Sequence, residues 1–220
     1  LLTVTVMVSV KNAQWAKMLT DKTYMPTVFK HGKNFKIGNF SIIESGVRVG
    51  DNVTIGHHCL LKSGTRFADN VNFADYCKTT GICYVGNNVN VRTGSCISKS
   101  VIVEDKAFIG AAVMTSHTKH IHHQRPQMPR VQLLTRIGYG AVVGSHTNLS
   151  AGVHIGDNVV IGYGSVVIKD VLEPAIYAGN PLRKLKELSD EMRVTKPDGY
   201  EEHIFSDEML AKYLPYYVKG

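Results

Sequence analysis

Residues 37–55, Ile37-Gly-Asn-Phe-Ser-Ile-Ile43-Glu-Ser-Gly-Val-Arg-Val49-Gly-Asp-Asn-Val-Thr-Ile55, place a large aliphatic side chain at every sixth position. Followed outward, the series continues through Leu61, Phe67, Phe73, Val85, Val91, Ile97 and Val103 to Ile109, with Thr79 as its polar member. It resumes in a new register at Ile137, Val143, Leu149, Ile155, Ile161 and Val167. Four places after each member stands a smaller side chain, as at Val47, Val53, Cys59, Thr65, Val71 and Cys77. Neither the helical period of 3.6 nor strand alternation yields a repeat of six over this distance. A parallel β-helix does, each hexad supplying one short strand and one corner. Three hexads close a triangular coil, and the two runs together predict a little over six coils. The large residues then fill the prism, and glycines such as Gly38, Gly50 and Gly56 suit its corners.

The span from Ile109 to Ile137 is not a whole number of hexads, so the chain between about 114 and 136 is expected to leave the coil as a loop. Its sequence, Thr115-Ser-His117-Thr-Lys-His120-Ile-His122-His123-Gln-Arg-Pro126-Gln-Met-Pro129-Arg130, has no hexad pattern. Inserted loops on rigid scaffolds are where function concentrates. The reading divides the chain into a capping segment at 1–36, the solenoid at 37–180 and a C-terminal extension at 181–220. Leu182, Leu185, Leu188 and Met192 are spaced as one face of a helix that would cap the open end of the stack.

The 220 residues carry a net charge of +7. No acidic residue occurs between Asp105 and Asp157, whereas Lys106, Lys119, Arg125, Arg130, Arg136 and six of the ten histidines do. Such a field attracts phosphates. Nucleic acid is not expected as a partner, because no aromatic stacking motif or basic helical stripe accompanies the charge. Cys59, Cys77 and Cys83 occupy the small-residue slot and are expected as buried thiols, with no zinc spacing and no disulfide framework. A cytoplasmic location fits that usage. Leu1–Val10 is too short to span a bilayer and reads as a strand or a partner-contacting segment.

Three passages resemble the hexapeptide-repeat acyltransferases, the left-handed β-helix family of galactoside, maltose, xenobiotic and nucleotide-sugar acetyltransferases. They are Val113-Met-Thr-Ser-His117; Val143-Gly-Ser145-His146 with Gly152-Val-His-Ile155; and Ile161-Gly-Tyr163-Gly-Ser165-Val-Val-Ile-Lys169 with Ala178-Gly-Asn-Pro181-Leu-Arg183. The resemblance implies a left-handed coil, acetyl-CoA as co-substrate, a homotrimer with active sites between subunits, and a small-molecule sugar acceptor. It places the general base at His117, a role suited to imidazole because it titrates near neutrality. His120 is the next candidate, with His122 and His123 behind it. The oxyanion would be met by the backbone N–H of Ser145, with His146 orienting the acceptor. Lys169 and Arg183 match cofactor-phosphate contacts, and Tyr163, where the family carries a small residue, would line the pantetheine path. Any carboxylate partner for His117 must come from outside the loop, with Asp75, Glu104 and Asp105 as candidates. No metal is expected.

The preferred acceptor is the amino group of a nucleotide-linked amino sugar, with a sugar hydroxyl of the galactoside or maltose type as the alternative. A zinc enzyme of the γ-carbonic-anhydrase kind would draw on the His117/His122 pair. A β-helix that binds without catalysing is the third reading.

Overall fold

The computed structural model describes residues 29–218. Most of the expected N-terminal cap, including Leu1–Val10, lies outside that range. The chain winds as a β-solenoid of about eight turns. Its short strands stack into three sheets of seven, nine and seven strands. We call these the first, second and third sheets, after the order in which the chain enters them at Lys30–His31, Lys36–Ile37 and Ile42–Ile43. Neighbours in each sheet are parallel along the coil, and residues one turn apart differ by 18 in number, as in Ile37↔Ile55 and Ile43↔Leu61. The stack exceeds the expected six coils because strands form at both ends of the apolar series. The first is Lys30–His31, and the last turn includes Ala175–Ala178.

Both members of each hexad point inward. Ile43, Ile55, Leu61, Phe73, Val85, Val91, Ile97 and Ile109 are buried, and so are Val47, Val53, Cys59, Cys77, Cys83 and Val113. Thr79, the polar exception, is buried without loss because its hydroxyl lies 2.6 Å from that of Thr65 and accepts from the Lys62 amide at 2.9 Å. The corner between the first and second sheets needs a left-handed residue on turn after turn. Asn34, Asn52, Asn70 and Asn88 take it, at φ between 54° and 59°. Asparagine tolerates that conformation, and the Asn34 and Asn52 amides each donate to the asparagine one turn on, at 2.8 and 3.0 Å.

The loop enters after the third-sheet strand Met114–Thr115 and returns to the first sheet at Thr135–Ile137, where Ile137 lies directly over Val103. The coil therefore continues undisturbed above the insertion.

The C-terminal extension departs from expectation. Leu182, Leu185, Leu188 and Met192 do not form a helical face: Arg183–Glu187 is a strand antiparallel to Ala175–Ala178, followed by a single 3-10 turn at Asp190–Met192. Leu185 and Met192 are exposed, whereas Leu182 packs on the core beside Tyr177, so this hairpin covers the end of the prism. A strand there continues the second sheet and satisfies its open backbone edge, which a helix would leave unpaired. The helix itself is short, Asp207–Tyr213, with Ser206 as its cap. It lies against the side of the prism and not its end. Phe205 and Leu214, with Met209, Leu210, Tyr213 and Tyr217, close over Ile82 and Ile102 on the outer surface of the first sheet.

Candidate active site

The candidate site residues fall on two edges of the prism. His117 stands at the edge where the third sheet turns to the first, at the root of the loop. Thr118 and Gln132 bridge antiparallel there, and the Leu133 amide donates to the His117 carbonyl at 3.2 Å. The C-terminal segment locks this root. The Gln132 amide donates to the Tyr216 carbonyl, Val218 donates back to the Gln132 carbonyl, and Arg130 both donates to the Tyr216 hydroxyl and covers its ring.

The imidazole of His117 is half-buried. Burial depresses its pKa below the usual histidine value, and the Lys99 ammonium depresses it further. Lys99 is a residue that motif reading missed. It precedes His117 by 18 positions and thus lies one turn below on the same edge. Neither ring nitrogen of His117 makes a hydrogen bond among the described residues. The three candidate carboxylates are engaged elsewhere: Asp75 accepts from the His57 amide, Asp105 from Asn87, and Glu104 from Arg136 and the Tyr200 hydroxyl. In the loop itself, His120 and His122 are half-buried and His123 is exposed.

Two turns above His117 on the same edge is Lys169, by the offsets that place Ser150 over Ser116 and Ile168 over Ser150. Lys169 and Arg183, both exposed, line one groove of about 410 Å³ at the last turn, together with Tyr177 and Leu182. The two residues expected to hold cofactor phosphates are thus brought together. Arginine gives a bidentate grip on phosphate and lysine a point charge.

Ser145 and Tyr163 lie one turn apart on the other edge, where the second sheet turns to the third, and the Gly164 amide donates to the Ser145 carbonyl at 2.8 Å. Along this edge several amides donate to a side chain one turn on: Asn39 to His57, His57 to Asp75, and Ala111 to the Ser145 hydroxyl at 3.1 Å. The Ser145 N–H has no such acceptor among the described residues, because the residue above it is Tyr163, whose only polar side-chain atom is at the far end of the ring. An amide without an internal acceptor is the donor an oxyanion requires. Tyr163 is 84% exposed and His146, at φ 60°, is exposed beside Ser145.

A half-buried histidine and two exposed cations on one side of the solenoid, and an amide without an internal acceptor beside an exposed aromatic on another edge, are the groups the geometry offers. The family model "Bacterial transferase hexapeptide (six repeats)" matches residues 30–63. The chain is 38% identical to the galactoside O-acetyltransferase of Escherichia coli (strain K12) over 93 residues, which is 41% of this chain and 46% of that protein. It is 32% identical over 124 residues to the bifunctional protein GlmU of Heliobacterium modesticaldum, covering 48% of this chain and 27% of that one. Among solved structures, a point mutant of the N-acyltransferase AntD from Bacillus cereus, in complex with dTDP and coenzyme A, superposes with a TM-score of 0.53. Its identity is 16%, over 84% of this chain and 94% of that one, a likeness of fold. These matches show a hexapeptide-repeat coil like that of the transferases the chain resembles. The chain spans about half the length of the curated relatives it matches.

Among the described residues no three His, Cys, Asp or Glu side chains are grouped to hold a metal ion. No helix among them is long and apolar enough to cross a membrane.

Proposed function

We propose that this protein transfers an acetyl group from acetyl-CoA to a sugar, with His117 as the general base. The observation that carries the reading is the separation of parts along the coil. His117 and Lys169 share one edge, Arg183 lines the last-turn groove with Lys169, and the free Ser145 amide stands on the other edge. In this reading the chain assembles as a homotrimer, in which the His117 edge of one copy faces the Ser145 edge of its neighbour and each cleft is one active site.

Acetyl-CoA would lie with its phosphates against Lys169 and Arg183, and Tyr163 would flank the pantetheine arm. His117, kept neutral by burial and Lys99, takes the proton from the attacking group. The Ser145 N–H stabilises the oxyanion of the tetrahedral intermediate, a contribution of about 3 kcal/mol for a single donor. The proton then passes to the departing thiolate.

The sugar hydroxyl comes first as acceptor, because the sequence likeness to a galactoside O-acetyltransferase covers 93 residues at 38% identity. The amino group of a nucleotide-linked amino sugar is the second reading. It is favoured by the acid-free, basic stretch between Asp105 and Asp157, which attracts a phosphorylated acceptor. The deciding experiment is thiol release from acetyl-CoA against a panel of simple glycosides and nucleotide-linked amino sugars. Turnover with glycosides supports O-transfer, and turnover with amino sugars alone moves the acceptor to nitrogen. Absence of CoA binding overturns the reading.

A further inference from the structure

The outer surface of the first sheet begins with an uncompensated column of cations. Lys30 pairs in register with Arg48, and Arg48 with Arg66, so their side chains project side by side at a strand spacing of about 4.8 Å. Like charges directly opposed across strands are destabilising. None of the three is in an ion pair among the described residues. Arg136, further along the same sheet, is treated differently: Glu104 and Glu202 both neutralise it.

The helix Asp207–Tyr213 encloses the column from one side and leaves a groove of about 490 Å³ between itself and the sheet. Arg48, Arg66 and Lys212 line that groove against a single carboxylate, Glu208, which is in no ion pair among the described residues. Its floor includes Gly46 and Gly64, at φ 84° and 89°, whose N–H groups donate to no described acceptor. The positive φ at both positions favours glycine, and a Cβ on Gly64 would press on Ile82 at 3.1 Å. The positive field is felt nearby, since His203 is depressed to about 4 by burial and then by Arg66 and Arg136.

We propose that this groove is a binding site for a diphosphate, with the Arg48 and Arg66 guanidiniums each taking one of the two phosphoryl groups and Lys212 closing from the helix. Two planar forks one strand apart match two adjacent phosphoryl groups, and a bound polyanion removes the repulsion within the column. The site is distinct from the Lys169–Arg183 groove, which lies at the last turn of the solenoid. It stands independently of the acetyl-transfer reading.

The test is calorimetric titration of the full chain with inorganic pyrophosphate at low salt, repeated in Arg183→Ala to separate any binding in the cofactor groove. Binding is expected to weaken at least about tenfold in Arg48→Ala and in Arg66→Ala. Arg92→Ala, an exposed arginine on another edge, and Lys169→Ala are expected to leave it unchanged. Without pyrophosphate, Arg66→Ala is expected to melt no lower than the parent, so a lost affinity is not lost folding. Uridine diphosphate binding more tightly than pyrophosphate would make the ligand a nucleotide; equal binding would make it a bare diphosphate. Both outcomes support the site. Absence of pyrophosphate binding, or equal loss in Arg92→Ala, overturns it. The CoA titration run alongside reads the acetyl-transfer proposal separately.

Discussion

In the proposed mechanism His117 is the base, and its surroundings favour the neutral form. Replacing it with alanine is expected to lower turnover by about two to four orders of magnitude, with acetyl-CoA affinity retained; near-normal turnover removes it from the mechanism. Burial first, then the Lys99 ammonium, lowers its pKa. The acid limb of a kcat/KM profile is therefore expected below the ordinary histidine value. Lys99→Met removes a positive neighbour, eases protonation and is expected to shift that limb to higher pH. An unmoved limb would show that Lys99 does not act on the base. At Ser145 the relevant group is the amide, so Ser145→Ala is expected to leave turnover nearly intact. It is expected to cost about 1 kcal/mol of stability, through loss of the hydroxyl that accepts from Ala111, as read by chemical denaturation.

At the scale of elements, the C-terminal strap organises the side of the prism. Tyr84 stacks on His203 with ring centroids 3.6 Å apart, and Glu104, 1% exposed, receives Arg136, the Tyr200 hydroxyl and the His203 amide. Removing Glu104 leaves Arg136 with only the exposed Glu202 carboxylate and strips the Tyr200 hydroxyl and the His203 amide of their acceptor. Glu104→Ala is expected to destabilise by about 3–5 kcal/mol, measured by urea denaturation. His203 adds a pH dependence. Its folded pKa of about 4 lies below the usual 6.5, so the unfolded chain binds the extra proton between those values. Stability is expected to be full above about pH 6.5 and to fall as pH drops toward 4, with a smaller slope in His203→Phe. An unchanged slope in that variant would exclude the residue as its source. The hexad was legible here only as far as the inward residues. Ile82 and Ile102 face outward, and nothing in a period of six marks them as the seat of a helix more than a hundred residues away.

For the whole molecule, the homotrimer proposed above makes the two edges require each other. A protein inactivated by His117→Ala and one inactivated at the Ser145 amide by Ser145→Pro each lack a different half of the site. Co-refolded mixtures are expected to regain activity, since some clefts in a mixed trimer pair an intact His117 edge with an intact Ser145 edge. Recovery absent from mixtures shown to be trimers by sedimentation would place both halves in one copy.

The sequence by itself determined the coil. A period of six repeated along the chain is a local rule that each turn obeys alone, so it specifies the inward residues, the corners and the place where the loop leaves. It also singled out His117, Ser145, Lys169 and Arg183 as candidates, because their motifs are contiguous. The tertiary structure decided which of them meet. Stacking at 18 residues per turn puts Lys99 under His117 and parts His117 from Ser145 across the third sheet, and the C-terminal hairpin folds Arg183 back beside Lys169. The C-terminal segment became a hairpin and a side strap because the open edge of the second sheet and the apolar patch at Ile82 and Ile102 needed covering, and both demands exist only once the prism has formed.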